Sequence, residues 1–282
     1  MSHWPKFISQ QDLAPGDSLP HPALPKGLSL HVVESPEDPL FETAYKLLDE
    51  EFGAKGEMET RDVIISRMSW KPTQLLNGCG MLYNLMLLML GDECVALRDH
   101  TAITRPDCDE VVVHLSHVLV VPKWRRKGLA PILRTIPVVT AHTCAAAIGR
   151  PEAPVTLFCE MEPIDLTIPA NKIRRTSYEQ AAFTALGAGL GYMQPDFRPF
   201  EAIDADPAGP KPIPFDILLR RVGMEEKINI MHERVVTNVE LIYAMYAVAF
   251  RAKDMAPCYK WLEDFKKRPV TTYKLYPPTE VP

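Results

Sequence analysis

Val120-Val121-Pro122-Lys123-Trp124-Arg125-Arg126-Lys127-Gly128-Leu129-Ala130 is the stretch whose reading decides the fold. A run dense in valine and leucine stops at a proline. It passes through a basic turn containing one glycine and enters a helix-forming segment. The first turn of a helix leaves backbone N–H groups unpaired, and the helix dipole favours an anion there. Gly128 lets backbone approach a ligand closely, and the small Ala130 keeps the opening clear. Arg125, Arg126 and Lys127 add positive charge. Together these features describe a pyrophosphate cradle. Taken alone, the turn is equally a solvated basic loop between a strand and a helix.

Working outward from this turn, Asp109 to Val121 alternates as a strand. Before it, Leu82 to Leu90 and Glu93 to Thr104 form a hairpin about Gly91-Asp92. Further upstream, Leu28 to Val33 is a first strand. Pro39 opens a helix with one apolar stripe through Phe41, Ala44, Leu48 and Phe52, and Arg61 to Trp70 is a second helix. Downstream, Leu129 to Ile148 is a helix closed by Gly149, and Val155 to Met161 is a strand. Pro163 to Arg175 is a long connection. Thr176 to Ala188 is a helix rich in small residues. Strands from Tyr192 onward and from Phe215 to Val222 complete the series. The expected fold is α/β, with a mixed, mostly antiparallel central sheet of about seven strands flanked by helices.

The expected organisation has three parts. Residues 1–27, with Pro5, Pro15, Pro20, Pro22 and Pro25, form an irregular arm. Residues 28–222 form the main domain. Residues 223–282 form a helical extension, with an apolar stripe through Val235, Val239, Ile242, Tyr243, Tyr246 and Phe250 and a shorter helix over Pro257 to Lys267. The stripe must cover either the main domain or a second copy of the chain, which makes a homodimer through these helices one expectation.

The bulk composition narrows the function. The 282 residues are 46% hydrophobic and 24% charged, with a formal net charge of -5. No basic block marks a nucleic-acid face. The longest apolar run, Met81 to Leu90, is half of the roughly 20 residues a membrane-spanning helix needs. No signal-peptide pattern opens the chain, so a cytoplasmic location is expected. The 6 cysteines are scattered without a C-x-x-C pair. They read as reduced thiols, and no metal site is expected.

Arg125-x-x-Gly128-x-Ala130 resembles the acyl-CoA signature R/Q-x-x-G-x-G/A of the GNAT superfamily of acyl-CoA-dependent N-acyltransferases, in its usual place between a strand and a helix. The element order over roughly residues 28–222 and the pair Gly191-Tyr192 are also similar to that family. The resemblance implies acetyl-CoA or another acyl-CoA as co-substrate. The backbone of Val118 and Val120 would pair with the pantetheine arm. Amides from Arg126 to Ala130, through Lys127, Gly128 and Leu129, would hold the pyrophosphate beside the signature residue Arg125. The N–H near Val118 would polarise the thioester carbonyl.

Transfer to an amine needs a group that takes a proton. His114 is the first candidate, because strand alternation sets it on one face with Ser116 and Val118. Arylalkylamine N-acetyltransferases, which the segments around it resemble, have a histidine there. Its alternative is a hydrogen-bonded core histidine. Glu160, at the end of a strand beside the expected cleft, is the second candidate. The tyrosine that many GNAT enzymes use as general acid would fall at Gly187 and is missing, and Tyr192 or Tyr178 is the nearest replacement. The expected activity is transfer of an acetyl group from acetyl-CoA to a primary amine of a small molecule or peptide. A long-chain N-acyltransferase fed by acyl-CoA or acyl carrier protein, and a non-catalytic acyl-CoA-binding module, are the alternatives.

Overall fold

The computed structural model describes residues 8–19 and 21–282, so the expectations for residues 1–7 and Pro20 lie outside the described residues. Its strands are β1 (Leu28–Val33), β2 (Leu75–Leu76), β3 (Cys79–Leu90), β4 (Glu93–Thr104), β5 (Val111–Val120), β6 (Val155–Met161), β7 (Thr184–Leu186), β8 (Tyr192–Gln194), β9 (Ile213–Arg221), β10 (Asn229–Met231) and β11 (Thr272–Tyr276). Its helices are α1 (Phe41–Phe52), α2 (Arg61–Met68), α3 (Ala130–Ala147), α4 (Pro169–Gln180), α5 (Phe200–Ala205), α6 (His232–Ala249) and α7 (Ala252–Lys266). The strand order is β1-β3-β4-β5-β6-β9-β7-β11-β10, with β2 beside β3 and β8 beside β9. Among the described residues only β5 and β6 run parallel; the other pairs are antiparallel.

Among the described residues the sheet therefore holds 11 strands rather than about seven. The excess comes from short strands that have no alternation long enough to read, among them β10 and β11 in the last 60 residues. Two other expectations change. The segment Thr176 to Ala188 is not one helix. Pro169 opens α4 inside the expected long connection, the helix stops at Gln180, and Ala182 takes φ 58°. The chain then leaves as β7, because Thr184 and Ala185 find ladder partners in Leu219 and Leu218. Such pairing outweighs the weak helical preference of a few alanines.

The C-terminal residues also do not stand apart as an appendage. Val235, Val239, Ile242, Tyr243 and Tyr246 of α6 share one apolar cluster with Phe41 and Leu48 of α1, Ile64 of α2 and Leu85 and Leu87 of β3. The stripe thus covers this chain's own sheet rather than a second copy, and β11 extends the sheet beyond β7. The opposite face carries α3, and the segment before β1 is fastened along that helix. Leu13 and Leu19 pack with Leu129, Ile132, Leu133 and Ile136. Arg134 Nε donates to Asp17 at 2.9 Å, and Arg220 Nη2 donates to the carbonyls of Asp12 and Leu13. Pro137, inside α3, has no N–H for the carbonyl four residues earlier. Arg98 of β4 fills that gap, its Nη1 donating to Leu133 O at 3.1 Å.

All six cysteines are free and buried. Burial pushes the thiols of Cys79, Cys94 and Cys159 up to about 11, and those of Cys144 and Cys258 up to about 12. Among the described residues no helix is long and apolar enough to cross a membrane.

Candidate active site

The site begins with an irregularity in β5. Arg98 of β4 faces Val118, but His100 faces Leu115, so Ser116 and His117 together oppose Asp99. This is a β-bulge, which inserts one residue and reverses the alternation beyond it. The expectation that His114, Ser116 and Val118 share a face is corrected by it. His117 and Leu119 join the α1/α6 side with His114, and Val118 and Val120 turn toward α3. Asp99 pins the bulge. Its Oδ1 accepts from the His117 backbone N–H at 2.8 Å and from His117 Nδ1 at 2.9 Å, while Tyr83 OH donates to Oδ2 at 3.1 Å. His117 Nε2 lies 2.9 Å from the Glu57 carbonyl. Both ring nitrogens face acceptors, the pattern of an imidazolium. Burial pushes the His117 pKa down, but the Asp99 carboxylate outweighs it and raises the value to about 9. Burial likewise raises Asp99, and His117 and Arg67 bring it down to about 2.

Just past the histidine at 114 the sheet opens. The parallel pairing of β5 with β6 ends at His114 opposite Phe158, while β6 stays bonded to β9 through Met161 opposite Asp216. The two strands splay, and a cleft of about 380 Å³ opens between them, with Ser116, Val118, Val120, Arg125 and Glu160 on its walls. A second cavity of about 180 Å³ continues beneath α3 and α4, bounded by Val118, Val120 and Ala130. At the head of α3, residues Pro122–Trp124 form a 3-10 turn, anchored by Trp124 Nε1 and Lys123 Nζ, each 2.7 Å from Glu93 Oε1. Arg126 takes φ 60° and Gly128 φ 75°. A Cβ on Gly128 would lie 2.4 Å from Nδ1 of His21, so the segment before β1 lies directly against this turn. Leu129 is a core residue under α3, 2% exposed as a whole, so the structure buries it away from a ligand.

The floor of the cleft is a buried carboxylate with four donors. His114 Nε2 lies 2.9 Å from Glu160 Oε2, Gln194 Nε2 donates to the same oxygen at 2.7 Å, and Tyr246 OH donates to it at 2.5 Å. Tyr192 OH donates to Oε1. Burial pushes the Glu160 pKa up, but the bonds from His114, Tyr192 and Tyr246 outweigh it and hold the carboxyl below its ordinary value. Burial, with the Glu160 charge second, raises both tyrosines well above their usual range. They remain phenols. Tyr246 has one proton, given to Glu160, so at 3.1 Å its oxygen accepts from His114 Nε2. The His114 Nε2 therefore bears hydrogen, and Nδ1 faces Ser116 Oγ at 3.3 Å.

The structure thus brings His114, Glu160 and Tyr192 into one cluster and sets Val118, Val120 and Arg125 on the cleft wall. Arg126, Lys127, Gly128 and Ala130 lie at the turn. Tyr246, Gln194 and Asp99 were not singled out as polar site residues from sequence. Among the described residues no group of His, Cys, Asp and Glu side chains is placed to hold a metal ion.

No protein-family profile matches the chain, and no curated protein sequence matches it. Among solved structures, the chain aligns with an aminoglycoside acetyltransferase from an uncultured soil metagenomic sample, in complex with trehalose, at 13% identity and TM-score 0.36 over 54% of this chain and 87% of that one. The same enzyme in complex with sisomicin aligns at 12% identity and TM-score 0.35, with the same coverage. Likeness at this level assigns no activity to the chain.

Proposed function

We propose that this chain is an acyl-CoA-dependent N-acyltransferase of the GNAT type that moves an acetyl group from acetyl-CoA to a primary amine of a small molecule or peptide. The observation that carries the reading is the splay of β5 from β6 beyond His114 and Phe158, with a basic glycine turn at its outer end and Glu160, bonded from behind by His114, at its floor. Among the described residues the β5 edge past His114 has no strand partner on the β6 side, so the backbone of Val118 and the N–H of Val120 face the gap where an extended pantetheine arm would pair as a strand does, while the Val120 carbonyl accepts from Arg125 Nε at 3.2 Å. The turn from Arg125 to Ala130, leading into α3, suits the pyrophosphate.

The geometry favours His114 over Glu160 as base. Glu160 accepts four hydrogen bonds and its pKa is lowered, which makes it a poor proton acceptor. It is suited to hold the ring and to stabilise it once charged. Tyr192, the expected replacement acid, is fully buried and donates to Glu160. Its role in this reading is positioning, not proton donation.

The test is thermal shift and thiol release with acetyl-CoA, a long-chain acyl-CoA and CoA alone, across a panel of amines. Ligand that binds only the folded state raises the melting temperature by mass action. The expected result is a shift with acetyl-CoA and amine-dependent release of thiol. A preference for the long chain would move the assignment to a long-chain N-acyltransferase. Binding without turnover would leave an acyl-CoA-binding module, and no shift with any thioester refutes the reading.

A further inference from the structure

The His114 ring does not reach the cleft. Its residue is 3% exposed, and its Nε2 is committed between Glu160 and Tyr246 at 2.9 and 3.1 Å. The nitrogen left to take a proton is Nδ1, and what stands before it is the Ser116 hydroxyl at 3.3 Å. Ser116 is half-buried and forms part of the cleft wall. The bulge delivers it there, because the extra residue opposite Asp99 lets Ser116 stay beside His114 while His117 turns inward to its carboxylate. The side chains run in the order hydroxyl, imidazole, carboxylate, each within hydrogen-bond reach of the next.

We infer that Ser116 is the catalytic residue that meets the acceptor amine and relays its proton to His114. This rests on the acyltransferase reading above. As the amine nitrogen bonds to the acyl carbon and the carbon–sulfur bond breaks, the thiolate leaves with the electron pair. The proton released from nitrogen passes to Ser116 Oγ, and the serine's own proton passes to His114 Nδ1. The resulting imidazolium is held between Ser116 and the Glu160 carboxylate. It returns its proton through the same serine to water in the cleft, which restores the resting state. No oxidant or further reactant is needed.

The test uses the full chain with Ser116→Ala, Ser116→Thr and His114→Gln. Ser116→Ala should lower kcat at least about a hundredfold, the lower range for loss of a positioned proton-transfer group. Acetyl-CoA binding and the melting temperature should stay at wild-type levels, and Ser116→Thr, which keeps the hydroxyl, should recover most of the rate. The proton inventory in mixed H2O and D2O should curve for wild type, with two protons in motion, and become linear for Ser116→Ala. Wild-type turnover that Ser116→Ala leaves unchanged overturns the relay and spares the acyltransferase reading. An acetyl group found covalently on Ser116 by mass spectrometry overturns it in favour of a nucleophile. Failure of wild type to bind any thioester sinks the underlying reading instead. A readout independent of turnover is the 15N spectrum of the resting protein, with His114 assigned through His114→Gln. The geometry, with Nε2 between two acceptors, predicts the tautomer with hydrogen on Nε2 and a hydrogen-bonded Nδ1; the opposite tautomer overturns the relay whatever the activity.

Discussion

Tyr246→Phe removes one hydroxyl from the floor of the cleft and nothing else of size. The ring is fully buried and packs edge-on to His114, with centroids 5.5 Å apart, so phenylalanine keeps the shape. The strongest of the lost bonds is the one donated to an ionised carboxylate at 2.5 Å; those accepted from His114 Nε2 and Gln194 Nε2 are longer, at 3.1 and 3.3 Å. Hydrogen bonds to charged groups contribute about 1.5–3 kcal/mol, and the variant should lose that much stability at pH 7. For a chain of this size that is roughly 3–10 °C in melting temperature. The pH dependence carries the sign. Glu160 has a lowered pKa when folded, so its contribution is present above its unfolded value, about 4.3, and is lost as pH falls through the folded value. Tyr246→Phe weakens the lowering. The gap between variant and wild type should therefore be widest at pH 7 and narrow as the pH drops below about 4.3. Urea unfolding at pH 7 and at about pH 3, more than a unit below the unfolded value, measures both quantities. Acetyl-CoA affinity, which the proposed function assigns to the cleft wall, should not change. A loss under about 0.5 kcal/mol at pH 7, below the range for a bond to a charge, or one equal at both pH values, refutes the four-donor description of Glu160.

Two other perturbations follow from the same geometry. Asp99→Asn leaves the buried His117 imidazolium without its counter-charge, and breaking a buried pair this way costs about 3–5 kcal/mol. In wild type the His117 contribution is full below about pH 6.5, the unfolded value, and is lost as pH rises through about 9. Denaturation between pH 6 and 9 should show that decline in wild type and a flat profile in Asp99→Asn; the same decline in both refutes the pairing. Gly128→Ala sets a side chain at φ 75° and drives its Cβ to 2.4 Å from His21 Nδ1. It should cost more than the roughly 0.4–1 kcal/mol scale of benign glycine replacements. Adding His21→Gly should recover the steric part but not the backbone strain, and a melting temperature untouched by Gly128→Ala would remove His21 from the turn.

Much of the frame is legible because its signals are local. Gly91-Asp92 between two apolar runs marks the β3–β4 hairpin, Pro39 marks the entry to α1, and Pro122 with Gly128 marks the passage from β5 to α3. What is not legible depends on partners distant in sequence. The helix expected over Thr176 to Ala188 fails because Thr184 and Ala185 pair with Leu219 and Leu218, more than thirty residues away. The bulge at Ser116 and His117 escapes because strict alternation is the only rule a lone strand offers. What breaks it is Asp99, on the neighbouring strand, which accepts two bonds from one residue. That single slip moves His117 to the inner face, sends Val118 toward α3 and leaves Ser116 at the cleft.

The floor of the cleft was half legible, and the hidden half follows one physical rule. Glu160 draws its donors from β5, from both ends of β8 and from α6. His114 and Glu160 are polar residues in apolar strands and stand out. Tyr246 lies on a stripe with Val235, Val239 and Ile242, and by periodicity alone it reads as packing. Yet a tyrosine on a buried stripe carries a hydroxyl that must find a partner, and this stripe carries two. Tyr243 donates to the Met193 carbonyl at 2.6 Å, and Tyr246 donates to Glu160. A helix that buries two phenols one turn apart has to abut acceptors, and hydrocarbon alone cannot supply them. The pair of tyrosines is thus the sequence signal that α6 closes over a polar site, which is why the residues after Gly223 belong to the same chemistry as β5 and β6.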